Sequence, residues 1–203
     1  MLTIFESLTK TFWEDLKDHL IAAVRGELHE GREYPNNERH ALYIKDDTIH
    51  SHAGIRFNYT TYDVRRGQDS ITLKSGRDCV MAVAADRAQD GPFLYARVLG
   101  VFHANVIDKS RDQHAVSTRV EFLWVRWLKL VSDANGLPEV SYLPLTSTAA
   151  VGFISPTDVI RACHIIPRFS LGRDVTLDGW GRLKTTSFVQ NSAGDWKSYY
   201  VNR

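Results

Sequence analysis

The sequence predicts a mainly β (α+β) fold behind one long amphipathic helix, and three observations carry this. Two apolar segments, FLYARVLGVFHANV from Phe93 to Val106 and TRVEFLWVRWLKL from Thr118 to Leu130, are dominated by β-branched and aromatic residues, as strands are. In the second segment Val120, Phe122, Trp124 and Arg126 fall on one face, and Glu121, Leu123, Val125 and Trp127 on the other. The first twenty-five residues instead repeat apolar positions every three or four residues, the period of a helix with one buried stripe.

Taken in order, that stripe is Ile4, Phe5, Leu8, Phe12, Leu16, Leu20 and Val24, with Trp13 widening it. Thr3 and Glu6 form a capping box, and Gly26 supplies the C-terminal stop. Residues 26–40 are polar and turn-rich and read as a loop. The segments ALYIK and TIHSH read as two strands turned by Asp46-Asp47, and IRFNYTTYDV as a third, closed by RRGQDS as a turn. CVMAVAA is a further strand, and DRAQDG a loop leading to the two long strands, which pair antiparallel. After the SDANG loop, prolines limit PEVSYLPL to a short extended segment. Ser155-Pro156-Thr157-Asp158 is a helix start, with Ser as cap and Pro at the first position, predicting a short helix to Ala162. IIPRF is again extended, residues 170–195 form a loop around TTSFVQ, and DWKSYYVNR closes the chain as a strand or edge segment.

A chain of 203 residues with 43% hydrophobic residues can bury one sizeable core. The formal charge of +1 gives no strong steering field toward nucleic acid, so any such contact has to come from a local basic face. Cys79 and Cys163 stand far apart without a CxxC motif, which argues against a disulfide framework and fits a reducing compartment, nuclear or cytoplasmic. No apolar run is long enough to span a bilayer, so no membrane partner is expected. Phosphate-loop, dinucleotide-binding, HExxH and GxSxG signatures do not occur, so no enzyme is signalled and no cofactor is expected.

Candidate sites follow from chemistry. Tyr95, Trp124, Trp127 and Tyr142 are the candidates for an aromatic cage, because aromatic faces attract a quaternary ammonium. The competing reading places Trp124 in the core and Trp127 beneath the helix. Arg65, Arg66 and Arg77, with Tyr59 and Tyr62 for stacking, are the nucleic-acid-binding candidates; Arg97 and Arg126 join them only if they share that face. The alternative for Arg126 is a carboxylate partner such as Glu121 or Asp158. His50 and His52 share one side of a strand, but no third ligand lies at a telling distance, so no metal site is assigned. His103 and His164, in apolar strings, read as hydrogen-bonded core histidines. Cys163 and His164 are adjacent on a strand and point apart, which defeats a nucleophile–base pair.

Several blocks carry a resemblance: KDDTIHSHAGIRFNYTTYDVRRGQDSI, FLYARVLGVFHANV, VEFLWVRWL, GFISPTDVIRACHIIPRFSLGR and DWKSYYVNR. In order, and over nearly all of residues 12–203, the chain resembles the C-terminal region of proteins encoded by basidiomycete Plavaka-type (CACTA-like) transposons. In that family a DDE nuclease-like part lies upstream, and nothing here supplies its carboxylates. Family members continue past the YYVNR block, so the resemblance implies a trimmed or divergent copy. Where relatives have Gly-Val or Gly-Cys before the histidine, this chain has Ala162-Cys163-His164. The chain is also similar to BAH (bromo-adjacent homology) domains, through Tyr95-Ala96-Arg97-Val98, Val120 to Trp127, and Asp158 to Ile165. These resemblances imply a BAH-like, partly open β-barrel over residues 31–203, with residues 1–30 packed on it as a helix. They imply a fungal, non-catalytic module that binds a histone peptide or DNA. The alternative is a scaffold that meets the upstream transposase region or a self-associating copy.

Overall fold

The computed structural model describes residues 2–27, 32–60, 66–73, 77–83, 92–132, 137–144, 147–174 and 195–202, with side chains from Phe12 onward. The fold is mainly β. Helix α1 (Leu2–Arg25) ends where the sequence predicts: Gly26 takes φ +66°, and the amides of Gly26 and Glu27 donate to the Ala23 and Ala22 carbonyls. That pair of bonds satisfies carbonyls the helix leaves open. The side chains of Thr3 and Glu6 lie outside the described residues. Within the predicted loop 26–40 a short helix α2 (Asn36–Ala41) begins after Pro35, and Arg39 on it forms a double ion pair with the buried carboxylate of Asp18 on α1. Among the described residues no helix is long and apolar enough to cross a membrane.

Among the described residues ten strands follow: β1 (Leu42–His52), β2 (Gly54–Thr60), β3 (Arg66–Thr72), β4 (Cys79–Val83), β5 (Phe93–Asp108), β6 (Thr118–Ser132), β7 (Glu139–Tyr142), β8 (Val151–Ile154), β9 (Val159–Pro167) and β10 (Tyr199–Asn202). The two predicted long strands are β5 and β6, and they pair antiparallel from Tyr95↔Leu128 to Val106↔Thr118. Pairings run β5–β4–β9–β10–β7–β6 and return from β6 to β5, a closed circuit of six strands. β1 extends this sheet beyond β5, and β8 pairs with β6. β2 and β3 form a separate two-stranded ribbon.

Three predictions are corrected. ALYIK and TIHSH are one strand, β1, interrupted where Asp46 and Asp47 take φ +57° and +47°. Asp tolerates this left-handed conformation better than most residues, so the chain bulges between Ile44 and Ile49 and resumes pairing with β5. RRGQDS is not a turn, since Arg66 onward is β3. Its low strand propensity yields to context: Gln68 and Ser70 face solvent, and Gly67 leaves space for the Tyr59 ring, whose Cζ would stand 2.5 Å from an added Cβ. The helix expected from Ser155 to Ala162 is a single 3₁₀ turn, Pro156–Asp158, capped by the Ser155 hydroxyl. Val159 and Ile160 then favour extension, and β4 offers a partner edge with Cys79 opposite Cys163.

The pleat of β6 sorts the core into three clusters. Val120, Phe122 and Trp124 pack with Ala104, Val106 and Phe153 beneath Leu16, Leu20 and Ile21 of α1. On the reverse face Leu123 and Val125 pack with Ala96, Val98 and the ribbon's Phe57 and Ile71. Further along, Leu128 joins Cys79, Met81, Tyr95, Val140, Cys163, Tyr199 and Val201, contributed by all six strands of the circuit.

Candidate nucleic-acid interface

The ribbon is where exposed polar chemistry concentrates on a supported element. Ile55 and Phe57 of β2 and Ile71 of β3 face the core, so the pleat turns Arg56, Asn58 and Thr60, with Arg66, Gln68, Ser70 and Thr72, outward. Register sets these side chains in cross-strand pairs, Arg56↔Ser70, Asn58↔Gln68 and Thr60↔Arg66, and the Gln68 amide donates to Asn58 Oδ1 at 2.9 Å. The outward residues are donors or donor–acceptors, and no carboxylate lies among them. Asp69, the one acid of these two strands, points the other way. Its Oδ2 accepts the Ala162 amide at 3.0 Å and the Arg161 Nε at 3.4 Å, tying β3 to β9. Arg161 in turn lies 4.0 Å from the centroid of the Tyr59 ring. The ribbon is thus anchored by apolar burial, by a carboxylate clip and by a cation–π contact. Beyond its end, Arg77 is exposed and bridges Thr72.

Of the residues picked from sequence, Arg66 lies on this outward face, Arg77 at the ribbon's end, and Tyr59 on the inner side beneath Arg161. Tyr62 and Arg65 lie outside the described residues. Arg56, Asn58 and Gln68 were missed, although GIRFNYT carries the signal in its strict alternation. Arg97 and Arg126 do not share the face. Arg97 Nε donates to the buried carboxylate of Asp78 at 2.8 Å, and its Nη1 reaches the Tyr142 hydroxyl at 3.4 Å. Arg126 is 1% exposed; it donates to the Leu143 carbonyl and lies 5.5 Å from the Tyr142 centroid, pairing with neither Glu121 nor Asp158. Glu121 is engaged by Arg119 instead, at 3.0 Å.

The four cage candidates are not brought together. Tyr95 is buried in the six-strand cluster, and Tyr142 packs at its margin edge-on to Tyr199, where burial pushes its hydroxyl pKa upward. Trp124 packs edge-on to Phe12 of α1 at 5.4 Å, while Trp127 faces the opposite side, its indole against Gly152. The helix therefore covers Trp124, not Trp127. Three residues apart on one strand, the two indoles point oppositely by parity alone.

The histidines are redistributed as well. His164 is exposed, so it is not a core residue. His103 is half-buried and its hydrogen-bond partner is another histidine, His52. Partial burial, then Arg119 and the neighbouring His50 and His52, hold its pKa below the usual imidazole range. Cys79 and Cys163 are buried thiols and cross-strand neighbours, and burial keeps the Cys79 thiol protonated and unreactive.

No protein-family model, no curated protein and no solved structure matches this chain.

Proposed function

We propose that this chain is a non-catalytic binding module of a transposon-encoded protein, with a BAH-like barrel, and that it holds duplex DNA against the outward face of the β2–β3 ribbon. The observation that carries the reading is that face: Arg56 and Arg66 set among Asn58, Gln68, Ser70 and the threonines, with no carboxylate. A two-stranded ribbon fits the major groove, where Asn and Gln read adenine, Arg reads guanine, and Arg also neutralises phosphate. The closed circuit of pairings supports the barrel reading, and burial of Phe57 and Ile71 with the Asp69 bonds to β9 fastens the ribbon to it. The resemblance to transposon-encoded proteins supplies the biological setting, in which a module that retains the element's DNA assists its upstream nuclease-like part.

A mobility-shift titration at several salt concentrations tests this. Three phosphate contacts, from Arg56, Arg66 and Arg77, give a log–log salt slope of about −2.7. R56A/R66A removes most of the binding and flattens the slope. Absent binding, a salt-independent complex, or an unchanged affinity in R56A/R66A overturns the reading. Methyl-dependent capture of a histone peptide without DNA binding would transfer the function to the chromatin-reader alternative. A stable self-associated species without either ligand would transfer it to the scaffold alternative.

A further inference from the structure

Each strand of the ribbon carries an arginine two residues before an amide: Arg56-Phe57-Asn58 on β2 and Arg66-Gly67-Gln68 on β3. Antiparallel register sets Asn58 directly opposite Gln68, with Arg56 opposite Ser70 and Arg66 opposite Thr60. The ribbon therefore has a local twofold through the amide pair, and the two arginines stand at opposite corners of it. A strand rises about 3.4 Å per residue, so the arginine rows lie about 14 Å apart with the amides midway. Asn58 and Gln68 are both exposed, and Gln68 Nε2 donates to Asn58 Oδ1 at 2.9 Å. That bond restrains two amides that would otherwise rotate at the surface. Each keeps capacity for a partner: Asn58 has both N–H donors and a second oxygen lone pair, and Gln68 has one N–H and its carbonyl.

We propose that the Asn58–Gln68 pair is the sequence-reading element of this ribbon and selects an adenine of an A·T pair in the major groove. The inference rests on the ribbon binding duplex DNA, and it divides the labour on that face. The major groove is about 12 Å wide, so arginines set about 14 Å apart at opposite corners reach phosphates on its two walls while the amides between them face its floor. Phosphate contacts fix position, and only the contacts on the floor carry sequence information. An amide edge offers one donor and one acceptor. Adenine offers the complement in that groove, an N7 acceptor beside an N6 donor. Guanine presents two acceptors, and cytosine a donor without an acceptor beside it, so either leaves part of the amide edge without a partner. The bond between Gln68 and Asn58 sets which way the donor and the acceptor face before DNA arrives, which lowers the cost of ordering them. No carboxylate stands in these rows to favour cytosine or to repel the backbone.

The test uses the full chain and a pool of short DNA duplexes with randomised central positions, bound, recovered and sequenced. Adenine is expected to be enriched at one position. In a single duplex drawn from that pool, replacing this A·T by G·C should weaken binding about 5- to 150-fold, the discrimination of one good bidentate contact. Replacing the adenine by 7-deazaadenine, which pairs normally but lacks N7, should weaken it as well. N58A/Q68A, at two exposed positions, should bind the unselected pool with the same salt slope and show neither loss. N58D keeps the bond from Gln68 but offers the groove acceptors only, so its preference should move from adenine to cytosine. R56A/R66A should instead lower affinity for every duplex alike. Salt-steep binding with no base preference, or an adenine preference that survives in N58A/Q68A, overturns this inference and leaves the ribbon as a DNA-binding face. Absent binding to every duplex overturns both.

Discussion

Arg126→Met is expected to leave the protein more stable, although it deletes a buried, hydrogen-bonded side chain. Arg126 is 1% exposed, and among the described residues its Nε and Nη1 have no hydrogen-bond partner. What it does have is the Leu143 carbonyl and the face of Tyr142. Burying a guanidinium costs several kcal/mol after relaxation. One charge-assisted hydrogen bond returns about 1.5–3 kcal/mol, and a desolvated cation–π contact about 2. These nearly cancel, and consistently burial lowers the Arg126 pKa even though Tyr142 and Asp195 favour the charge. Methionine follows most of the same path and contributes about 1.5–3 kcal/mol of apolar burial. Against that stands about 1 kcal/mol for the Leu143 carbonyl left without its donor. The expected net gain is about 1 kcal/mol, which for a chain of this length raises Tm by about 2–4 °C. Urea unfolding of R126M beside the unaltered protein measures it. A loss of more than about 1 kcal/mol would refute the argument, because it would mean that the guanidinium contributes more than its desolvation costs.

Two further outcomes follow from the packing. Gly67→Ala places a methyl 2.5 Å from Tyr59 Cζ, so the ring must leave its place beneath Arg161 or the ribbon must shift; a loss of about 1–3 kcal/mol in urea unfolding is expected, and a neutral result would show that Tyr59 moves freely. Asp108 is buried, which raises its pKa, but hydrogen bonds from Arg25 and Ser110 outweigh this and hold the folded value below normal. Its stabilising contribution is therefore present above the unfolded value, near pH 4, and is lost as pH falls through the depressed folded value. An acid titration of stability should be shallower for D108N than for the unaltered chain, and identical slopes would contradict the assignment.

The sequence was most legible where pattern and context agree. β5, β6 and the end of α1 at Gly26 were readable because a long alternation and a left-handed glycine have few competing explanations. β3 was not readable, because Arg66-Gly67-Gln68-Asp69-Ser70 has turn composition and becomes a strand only against β2, with Asp69 clipped to β9. The helix signal at Ser155 was a genuine cap, yet capping starts a helix without sustaining one, and the β-branched residues that follow joined β4. The histidine cluster was not readable for a different reason. His50 and His103 are fifty-three residues apart in sequence, and only the register of β1 on β5, after a bulge at Asp46-Asp47, sets them side by side. A register that depends on a bulge is beyond what a single sequence specifies.

Parity along β6 also decides where a ligand can act. Even positions run from beneath α1 into the six-strand cluster, and odd positions run beneath the ribbon, so both faces of the strand that carries the two tryptophans are already covered by this chain. An aromatic cage built on Trp124 and Trp127 would need the helix and the ribbon to leave together, exposing two of the three core clusters. A ligand on the outer face of the ribbon requires no such opening. The same pleat that buries Phe57 and Ile71 presents Arg56 and Arg66, so apolar burial and the display of the arginines are two faces of one ribbon. Binding there would lose little to ordering, because core burial and the Asp69 bonds to β9 already hold the two strands that carry the arginines.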